Sequence, residues 1–266
     1  MVKNGAEAAG KQLGVTVTYS SDGDPGAQAK LIDNAVAQKV GGLVVSMANP
    51  DALKTSIENA VKAGIPVITI NSGGARSKEF GALAHVGQDE SIAGEQAGAK
   101  LKGAGKTKLL CVIHEAGNVG LSDRCAGAAK GFGSTTNLQV ELANPTDVQS
   151  RIKGALQADP SIDAVLALNP QVATLAAGAA KDAGAKAQVA TFDLNADVVT
   201  AIKAGDVLFA VDQQQYEQGY LPIVMLKLYA DNANTVGGGN PVLTGPGFVD
   251  KSNVDKVAEY AKRGTR

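Results

Sequence analysis

The sequence predicts an α/β fold of two similar doubly wound lobes, each with a parallel sheet between layers of helices. Five short apolar runs each end in a small polar cluster and continue into a helix-like stretch, which is typical of parallel strands joined by crossover helices. Residues 63–67 in the first half also have a counterpart in residues 183–187 of the second half. Two lobes account for both observations better than one sheet of ten strands.

Capping residues set the element boundaries in the first half. Asp24 and Asn49 each precede a proline, and this pair of an N-cap residue and a first-turn proline begins a helix. Gly14 and Gly64 stand where helices end. The predicted helices are residues 1–13, 25–38 and 50–63, and the predicted strands are residues 15–19, 42–45 and 66–70.

The alternation continues in the second half and ends in a tail rich in glycine and proline around residues 237–241. The tail leads to a possible strand 247–249 and a last helix 252–262. The other predicted helices are 91–102, 120–132, 147–158, 171–183, 195–203 and 215–230, and the other predicted strands are 108–113, 138–142, 164–168, 187–192 and 207–211.

Composition excludes several classes of partner. The 266 residues carry a formal net charge of −1, which provides no electrostatic attraction for nucleic acid or an anionic membrane. Aromatic residues make up only 4% and tryptophan is absent, so a surface for stacking bases would be poor. No uninterrupted apolar run is long enough to span a bilayer.

Two cysteines, Cys111 and Cys125, lie in a predicted strand and in the helix that follows it. Because a strand and its next helix pack together, a disulfide is feasible, and it would favour an oxidising compartment. The alternative is a pair of buried free thiols, which are common in apolar packing.

Three motifs resemble catalytic or metal sites and are rejected. Residues 103–107 resemble the end of a phosphate-binding loop, but they lack the required upstream glycine and precede a strand. His114 and Glu115 begin like a zinc-binding helix, but position 118 is Asn, so no metal is expected. Asp193 and Glu115 could act as acid and base, but no nucleophile motif accompanies them, and hydrogen bonding to a ligand is the simpler role.

Polar side chains cluster where the predicted strands end, which is the edge at which α/β sheets bind ligands. Amides and carboxylates both accept from and donate to neighbouring hydroxyls, and an arginine can span two oxygens. The sequence therefore predicts a site for a small polyhydroxylated molecule, with these candidates: Asn71, Asn169, Asp193, Gln213 and Arg124.

The chain resembles the type I periplasmic sugar-binding proteins of ABC transporters, in the ribose- and galactose-binding group. The resemblance runs over nearly all of the sequence. It rests on the order and spacing of residues 64–69, 85–94, 123–127, 163–169 and 191–193, and of Gln213 six positions before Gly219. It implies no cofactor, a sugar or polyol ligand, and a membrane permease as partner.

The resemblance also assigns roles. It implies ligand contacts at Asn71, Arg124, Asn169 and Asp193, with Gln213 as a hinge glutamine. Ser72 stands where ribose-binding relatives have arginine, which argues against ribose, and Asp147 or Gln149 stands near a position that is aromatic in the family. The further rim candidates are Gln88, His114, Glu115 and Ser46.

Each assignment has a structural alternative. Asn71, Asn169 and Asp193 could cap the next helix, Arg124 could be a surface helix residue, and Gln213 could be an ordinary hydrogen-bonding hinge residue. His114, Glu115 and Ser46 could likewise be structural.

The resemblance implies a three-strand hinge, with crossovers near Gln88, Gln213 and Thr244. Lobe one would hold residues 1–88 and 214–244, and lobe two residues 89–213 and 245–266. The lobes would close on the ligand, and a permease would recognise the closed form. A monomer without nucleic-acid partners is expected, in the periplasm or, as a lipid-anchored protein, outside a Gram-positive cell.

The family begins with a central strand and a signal peptide, whereas residue 1 here is already helical. We expect the gene product to begin further upstream. Two other classes remain possible at this point: the sugar-sensing core of a lactose-repressor-type regulator, and an α/β enzyme acting on a sugar.

Overall fold

The computed structural model describes all of residues 1–266 and divides into two compact units. Unit 1 holds Met1–Gln88, Gln214–Thr244 and Thr265. Unit 2 holds Asp89–Gln213, Gly245–Gly264 and Arg266. Each unit has its own sheet, and each is described by itself.

The chain forms ten α-helices and ten strands, together with 3-10 turns at Gly74–Arg76 and Val254–Lys256. The helices are α1 (Val2–Leu13), α2 (Pro25–Ala37), α3 (Pro50–Lys62), α4 (Glu90–Gly103), α5 (Val119–Phe132), α6 (Pro145–Ala158), α7 (Pro170–Asp182), α8 (Ala196–Ala204), α9 (Gln215–Asn232) and α10 (Ala258–Arg263). The strands are β1 (Leu43–Ser46), β2 (Val67–Ile70), β3 (Ala84–Gly87), β4 (Leu109–Ile113), β5 (Thr135–Gln139), β6 (Ala164–Ala167), β7 (Gln188–Phe192), β8 (Val207–Asp212), β9 (Val242–Leu243) and β10 (Gly247–Asp250).

Unit 1 is built on a parallel sheet with the strand order β1-β2-β3-β9. β2 and β3 are buried along their whole length, as expected for strands covered on both faces. The predicted caps form: Asp24 accepts from the backbone N–H of Ala27, and Asn49 from that of Ala52. These caps fix where α2 and α3 begin.

Two predictions for unit 1 were wrong. Residues 15–19 do not form a strand, because β1 is the edge of the sheet and pairs only with β2, so no neighbour offers these residues a hydrogen-bond ladder. β3 and β9 were not predicted. β3 contains a histidine and a glycine within four residues, and β9 has only two residues, so neither shows a clear apolar pattern.

Unit 2 has six strands in the order β10-β8-β7-β6-β4-β5, all parallel except for β10, which runs antiparallel to β8. Alternate residues of a strand point to opposite faces, and here both faces are buried. Leu110 and Val112 of β4 belong to one core cluster, whereas Leu109 and Cys111 belong to the other. The sheet is thus covered by helices on both sides.

Two elements of unit 2 lie elsewhere than predicted. The strand predicted at 138–142 occupies Thr135–Gln139, because this edge strand is polar and its position is set by pairing with β4, where Leu109 faces Thr135. The helix predicted at 252–262 is instead a 3-10 turn followed by the short α10.

The predicted disulfide is confirmed: Cys111 of β4 is bonded to Cys125 of α5, with their Cα atoms 5.8 Å apart. Both residues are completely buried. None of the helices is long and apolar enough to cross a membrane. No cluster of acidic, histidine or cysteine side chains is arranged to hold a metal ion.

Candidate functional site

A buried ion pair lies at the centre of the polar cluster in unit 2. Arg124 of α5 donates through Nε to Glu90 Oε2 at 2.6 Å and through Nη2 to Glu90 Oε1 at 3.0 Å. The two residues are only 4% and 7% exposed. Burial alone would lower the pKa of Arg124, but the Glu90 carboxylate outweighs burial and holds this pKa above its usual value.

Glycines bring the two helices of this pair into close contact. A Cβ atom added to Gly94 of α4 would lie 2.1 Å from the carbonyl oxygen of Arg124, and one added to Gly127 of α5 would lie 2.1 Å from that of Ser91. No side chain larger than hydrogen fits at either point without moving a backbone. This approach allows Glu90, in the first turn of α4, to reach Arg124.

The Arg124 guanidinium is also held by two other contacts. It lies over the ring of Phe192, 4.4 Å from the centroid, and Nη1 makes a long 3.5 Å contact with the carbonyl oxygen of Leu168. The Leu168 contact engages Nη1, while Glu90 holds Nε and Nη2. Of the five N–H hydrogens of an arginine, these three bonds use three, so the fork retains capacity for a ligand.

Asn169 follows Leu168 directly and caps α7. Its side-chain oxygen accepts from the backbone N–H of Val172 at 3.0 Å, and its carbonyl oxygen accepts from Thr191 Oγ1 at 3.3 Å. The side-chain oxygen of Asn169 therefore acts as a helix cap, which is the structural role considered for this residue. The two N–H groups of its amide remain able to donate to a ligand.

Asp193 follows β7 directly and has a left-handed backbone, with φ of 68°. Gln213 donates from Nε2 to Asp193 Oδ1 at 2.7 Å, and Gln213 itself is almost fully buried. Burial raises the pKa of Asp193 to about 6, although the charge of Arg124 and the hydrogen bond from Gln213 oppose the rise. Asp193 does not cap α8, because that role belongs to Asn195, which accepts from the backbone N–H of Val198.

His114 and Glu115 lie at the end of β4, but they differ in their surroundings. Burial and the positive charge of Arg124 lower the pKa of His114 to about 4, so the ring is neutral at pH 7. Its Nδ1 atom is buried and has no hydrogen-bond partner. Glu115 accepts from Asn118 Nδ2 at 2.9 Å, a local contact beside the start of α5.

In unit 1, Asn71 follows β2 and also has a left-handed backbone, with φ of 58°. Its Oδ1 atom accepts from Ser72 Oγ at 3.3 Å and, more weakly, from Ser46 Oγ at 3.5 Å. Its Nδ2 atom donates to Gln218 Oε1 at 3.2 Å. Asn71 does not cap a helix, so the structural alternative considered for this residue is excluded.

Ser72 and Gln88, two other candidates in unit 1, are both buried, at 4% and 3% exposure. Ser72 lies beside Asn71 and orients its amide, as described above. Gln88 is the last residue of its segment in unit 1 and directly follows β3.

The structure thus gathers the candidates in two groups. In unit 2 it connects Arg124, Asp193 and Gln213 through hydrogen bonds and charge, with His114 within electrostatic reach of Arg124. In unit 1 it connects Asn71 with Ser72 and Ser46. Arg124 is not a surface residue, so that alternative is excluded.

Two residues that organise these groups, Glu90 and Gln218, were not recognised from the sequence. In the sequence, Glu90 resembles an ordinary acidic residue in the first turn of a helix. Gln218 resembles a polar surface residue on a long helix. The available signal was a glycine near each residue. Gly94 lies one helical turn after Glu90, and Gly219 directly follows Gln218. A glycine inside a helix often marks a close packing contact.

Each group offers chemistry suited to hydrogen bonding with neutral hydroxyls. Amides, a carboxylate and a guanidinium offer donors and acceptors in fixed positions. No side chain in either group is arranged as an activated nucleophile beside a base.

Comparisons with known proteins agree with this chemistry. The family model described as the periplasmic binding protein domain matches residues 1–234, and the chain belongs to this family. The resemblance inferred from the sequence and the type I periplasmic binding fold are both confirmed.

Characterised relatives are import proteins. The ribose import binding protein of Bacillus subtilis is 28% identical over 222 residues, which cover 80% of this chain and 71% of that protein. The D-apiose import binding protein of Actinobacillus succinogenes is 25% identical over 273 residues, which cover 97% of this chain and 86% of that protein.

Solved structures include a much closer relative. The carbohydrate transporter of Acidothermus cellulolyticus 11B, crystallised with myo-inositol, is 46% identical with a TM-score of 0.98, covering 100% of this chain and 93% of that one. A periplasmic sugar-binding protein of Legionella pneumophila is 25% identical with a TM-score of 0.83, covering 91% and 93% of the two chains.

The protein is therefore a sugar-binding, solute-binding component of an ABC importer, as the sequence indicated. Its family and relatives are substrate-binding transport proteins, which implies a permease as partner and a periplasmic or extracellular location.

Proposed function

We propose that the protein captures a neutral cyclic polyol or monosaccharide for import, and that myo-inositol is the first candidate ligand. The observation that carries this proposal is the 46% identity over the whole chain to a transporter crystallised with myo-inositol. Ser72, which stands where an arginine is expected in ribose-binding relatives, favours a ligand other than ribose.

We assign the ligand contacts to Asn71 in unit 1 and to Arg124, Asn169 and Asp193 in unit 2, with Gln213 orienting Asp193. We further propose that the permease recognises the ligand-bound form of the protein. Gln88, Ser72, His114 and Glu115 complete the proposed rim of the site.

The charges in unit 2 support a neutral ligand. Arg124 supplies one positive charge, whereas Glu90 and ionised Asp193 supply two negative charges, and Glu90 already pairs with the arginine. A sugar acid or sugar phosphate would add a third negative charge beside a buried carboxylate, which is costly at low dielectric. Neutral hydroxyls avoid this repulsion.

We further propose that the protein binds its ligand without converting it, acts as a monomer and does not bind nucleic acid. The absence of an activated nucleophile near the polar groups supports the first of these points, and the formal net charge of −1 supports the last.

Calorimetric titration of the purified protein with myo-inositol, ribose, xylose, arabinose, glucose and galactose tests the proposal, with glucuronate as an anionic control. We expect myo-inositol or another neutral polyol to bind and glucuronate not to bind. Asp193→Asn should weaken binding at least ten-fold at pH 7, because a charge-assisted hydrogen bond is lost. Binding of glucuronate alone, or turnover of any sugar, would contradict it.

A further inference from the structure

Thr244 is the meeting point of the three segments where the main chain leaves unit 1. These segments end or begin at Gln88, Gln214 and Thr244. The backbone N–H of Thr244 donates to the carbonyl oxygen of Gly87 at 2.7 Å, and Gln214 donates from Nε2 to the carbonyl oxygen of Thr244 at 2.7 Å. Thr244 is only 1% exposed, so these bonds are shielded from water.

The hydroxyl of Thr244 connects this meeting point to Asn71. Gln218 donates from Nε2 to Thr244 Oγ1 at 3.1 Å, and its Oε1 accepts from Asn71 Nδ2 at 3.2 Å. Gln218 is completely buried. Gln218 Nε2 therefore donates to Thr244, while Gln218 Oε1 accepts from Asn71.

Close packing of two helices places Gln218 at this point. A Cβ atom on Gly219 would lie 1.9 Å from the carbonyl oxygen of Val2, and one on Gly5 would lie 2.0 Å from that of Tyr216. α9 is therefore pressed against α1 at the turn that carries Gln218. The position of the amide is fixed by backbone contacts as well as by its hydrogen bonds.

We propose that Gln218 is a positioning residue that couples the orientation of the Asn71 amide to Thr244, where the crossover segments are joined. The proposal rests on the proposed function in taking Asn71 as a ligand contact. Rotating the Gln218 amide by half a turn would place donor against donor at Asn71. The Thr244 hydroxyl can both donate and accept, so it holds the Gln218 amide in place, and the donor Asn71 Nδ2 sets which end of that amide faces it. In this orientation Asn71 turns its oxygen toward Ser46 and Ser72.

This relay gives the crossover segments a direct effect on affinity. A shift of Thr244 moves Gln218 Nε2. Because the amide group is planar and rigid, Gln218 Oε1 moves with it. The Asn71 amide then follows, because a buried polar group left without its partner costs free energy. The crossover segments and the proposed ligand contact Asn71 would thus share one chain of hydrogen bonds within unit 1.

Thr244→Val and Thr244→Ser, made in the full chain, test the relay. Valine has the shape of threonine without the hydroxyl, whereas serine keeps the hydroxyl. The readout is the pair of side-chain amide NMR signals of Asn71 in the ligand-free protein, assigned by their loss in Asn71→Asp. We expect the signals to shift in Thr244→Val and to remain close to wild type in Thr244→Ser.

Calorimetry with the best ligand of the wild-type protein measures the consequence. Thr244→Val should raise Kd about three- to ten-fold, and Thr244→Ser should leave it nearly unchanged. The relay would be overturned if the Asn71 signals or the Kd changed equally in Thr244→Val and Thr244→Ser. If Thr244→Val does not fold, Thr244→Ala removes the same hydroxyl and is compared with Thr244→Ser in the same way.

The relay and the proposed function can fail separately. If the wild-type protein binds no sugar or polyol, the proposed function is refuted. The Asn71 amide signals in Thr244→Val and Thr244→Ser then still test the relay. Wild-type protein that binds a polyol while Thr244→Val leaves the Asn71 signals in place refutes the relay alone.

Discussion

Asn71 and Asp193 hold the same unusual backbone conformation at matching places in the two units. Each directly follows a buried parallel strand, and their φ angles are 58° and 68°. Asn and Asp tolerate this left-handed region better than most residues because their short polar side chains bond locally. Strained conformations of this kind concentrate at binding sites, which agrees with the proposed roles of both residues.

The pH dependence of stability should reveal Asp193. Its pKa rises from 3.8 to about 6 on folding, so folding favours the protonated form. The resulting stability is present below pH 4 and is lost as the pH rises to 6, by at most about 3 kcal/mol. Ligand-free Asp193→Asn should therefore match wild type at pH 4 and be more stable at pH 7, as measured by urea unfolding.

Asp197→Asn, at an exposed position in the next helix, is the control for Asp193→Asn and should not show this trend. Asparagine is well tolerated at a left-handed position, so the substitution at 193 adds no backbone strain. A stability difference between wild type and Asp193→Asn that stays constant from pH 4 to pH 7 would contradict the prediction.

Glu90→Gln should both destabilise the protein and weaken ligand binding. Removing one partner of a buried ion pair leaves the Arg124 charge uncompensated, at a cost of about 3 kcal/mol in the free energy of unfolding. The guanidinium also loses its orientation, so we expect Kd to rise at least ten-fold. Urea unfolding and calorimetry measure the two effects.

Glu95→Gln is the matched control for Glu90→Gln, because Glu95 lies on the same helix and its pair with Lys130 is exposed. An exposed pair contributes at most about 1 kcal/mol, so this variant should behave like wild type. Equal effects of the two substitutions would show that the Glu90 pair has no special role.

Gly127→Ala should separate α4 from α5. The added methyl group would lie 2.1 Å from the carbonyl oxygen of Ser91, so a helix must move. We expect the free energy of unfolding to fall by about 1–3 kcal/mol or more, with weaker binding because Arg124 lies on the displaced helix.

Gly154→Ala is the control for Gly127→Ala, because it adds the same methyl group to α6 where nothing lies within 4 Å. This exposed helical position should gain about 0.5–1 kcal/mol from the lower backbone entropy of alanine. Chemical unfolding of both variants provides the comparison, and a loss of stability in Gly154→Ala similar to that in Gly127→Ala would refute the packing argument.

Reducing the Cys111–Cys125 disulfide should destabilise unit 2. The bridge closes a loop with a sequence separation of 14, for which chain entropy gives about 3 kcal/mol. Urea unfolding with and without a reducing agent measures the change. The double variant Cys111→Ala/Cys125→Ala should be insensitive to the reductant, and an equal response from this variant would show that the reductant acts elsewhere.

Polar residues at strand ends were accessible to sequence analysis because a strand, its end and the next helix are local patterns. This locality explains why Asn71, Asn169 and Asp193 were identified as candidates and why most helix boundaries agree with the structure. β3 was missed because it lacks a clear apolar pattern, and β9 because it has only two residues. Their identity as strands depends on neighbours that are distant in sequence.

The partners of the candidate residues could not be read from one sequence. Gln218 is separated from Asn71 by 147 positions, and Glu90 from Arg124 by 34. Nothing in the local pattern of α4 distinguishes Glu90 from a solvated acid in the first turn of a helix.

The sequence by itself determined the alternation of strands and helices, the chemistry of the strand ends and the family to which the chain belongs. Tertiary structure decided which of those polar groups touch, which are buried and which pKa values shift. The physical reason is that local propensity and periodicity act over a few residues, whereas hydrogen bonds, burial and charge depend on distances in space.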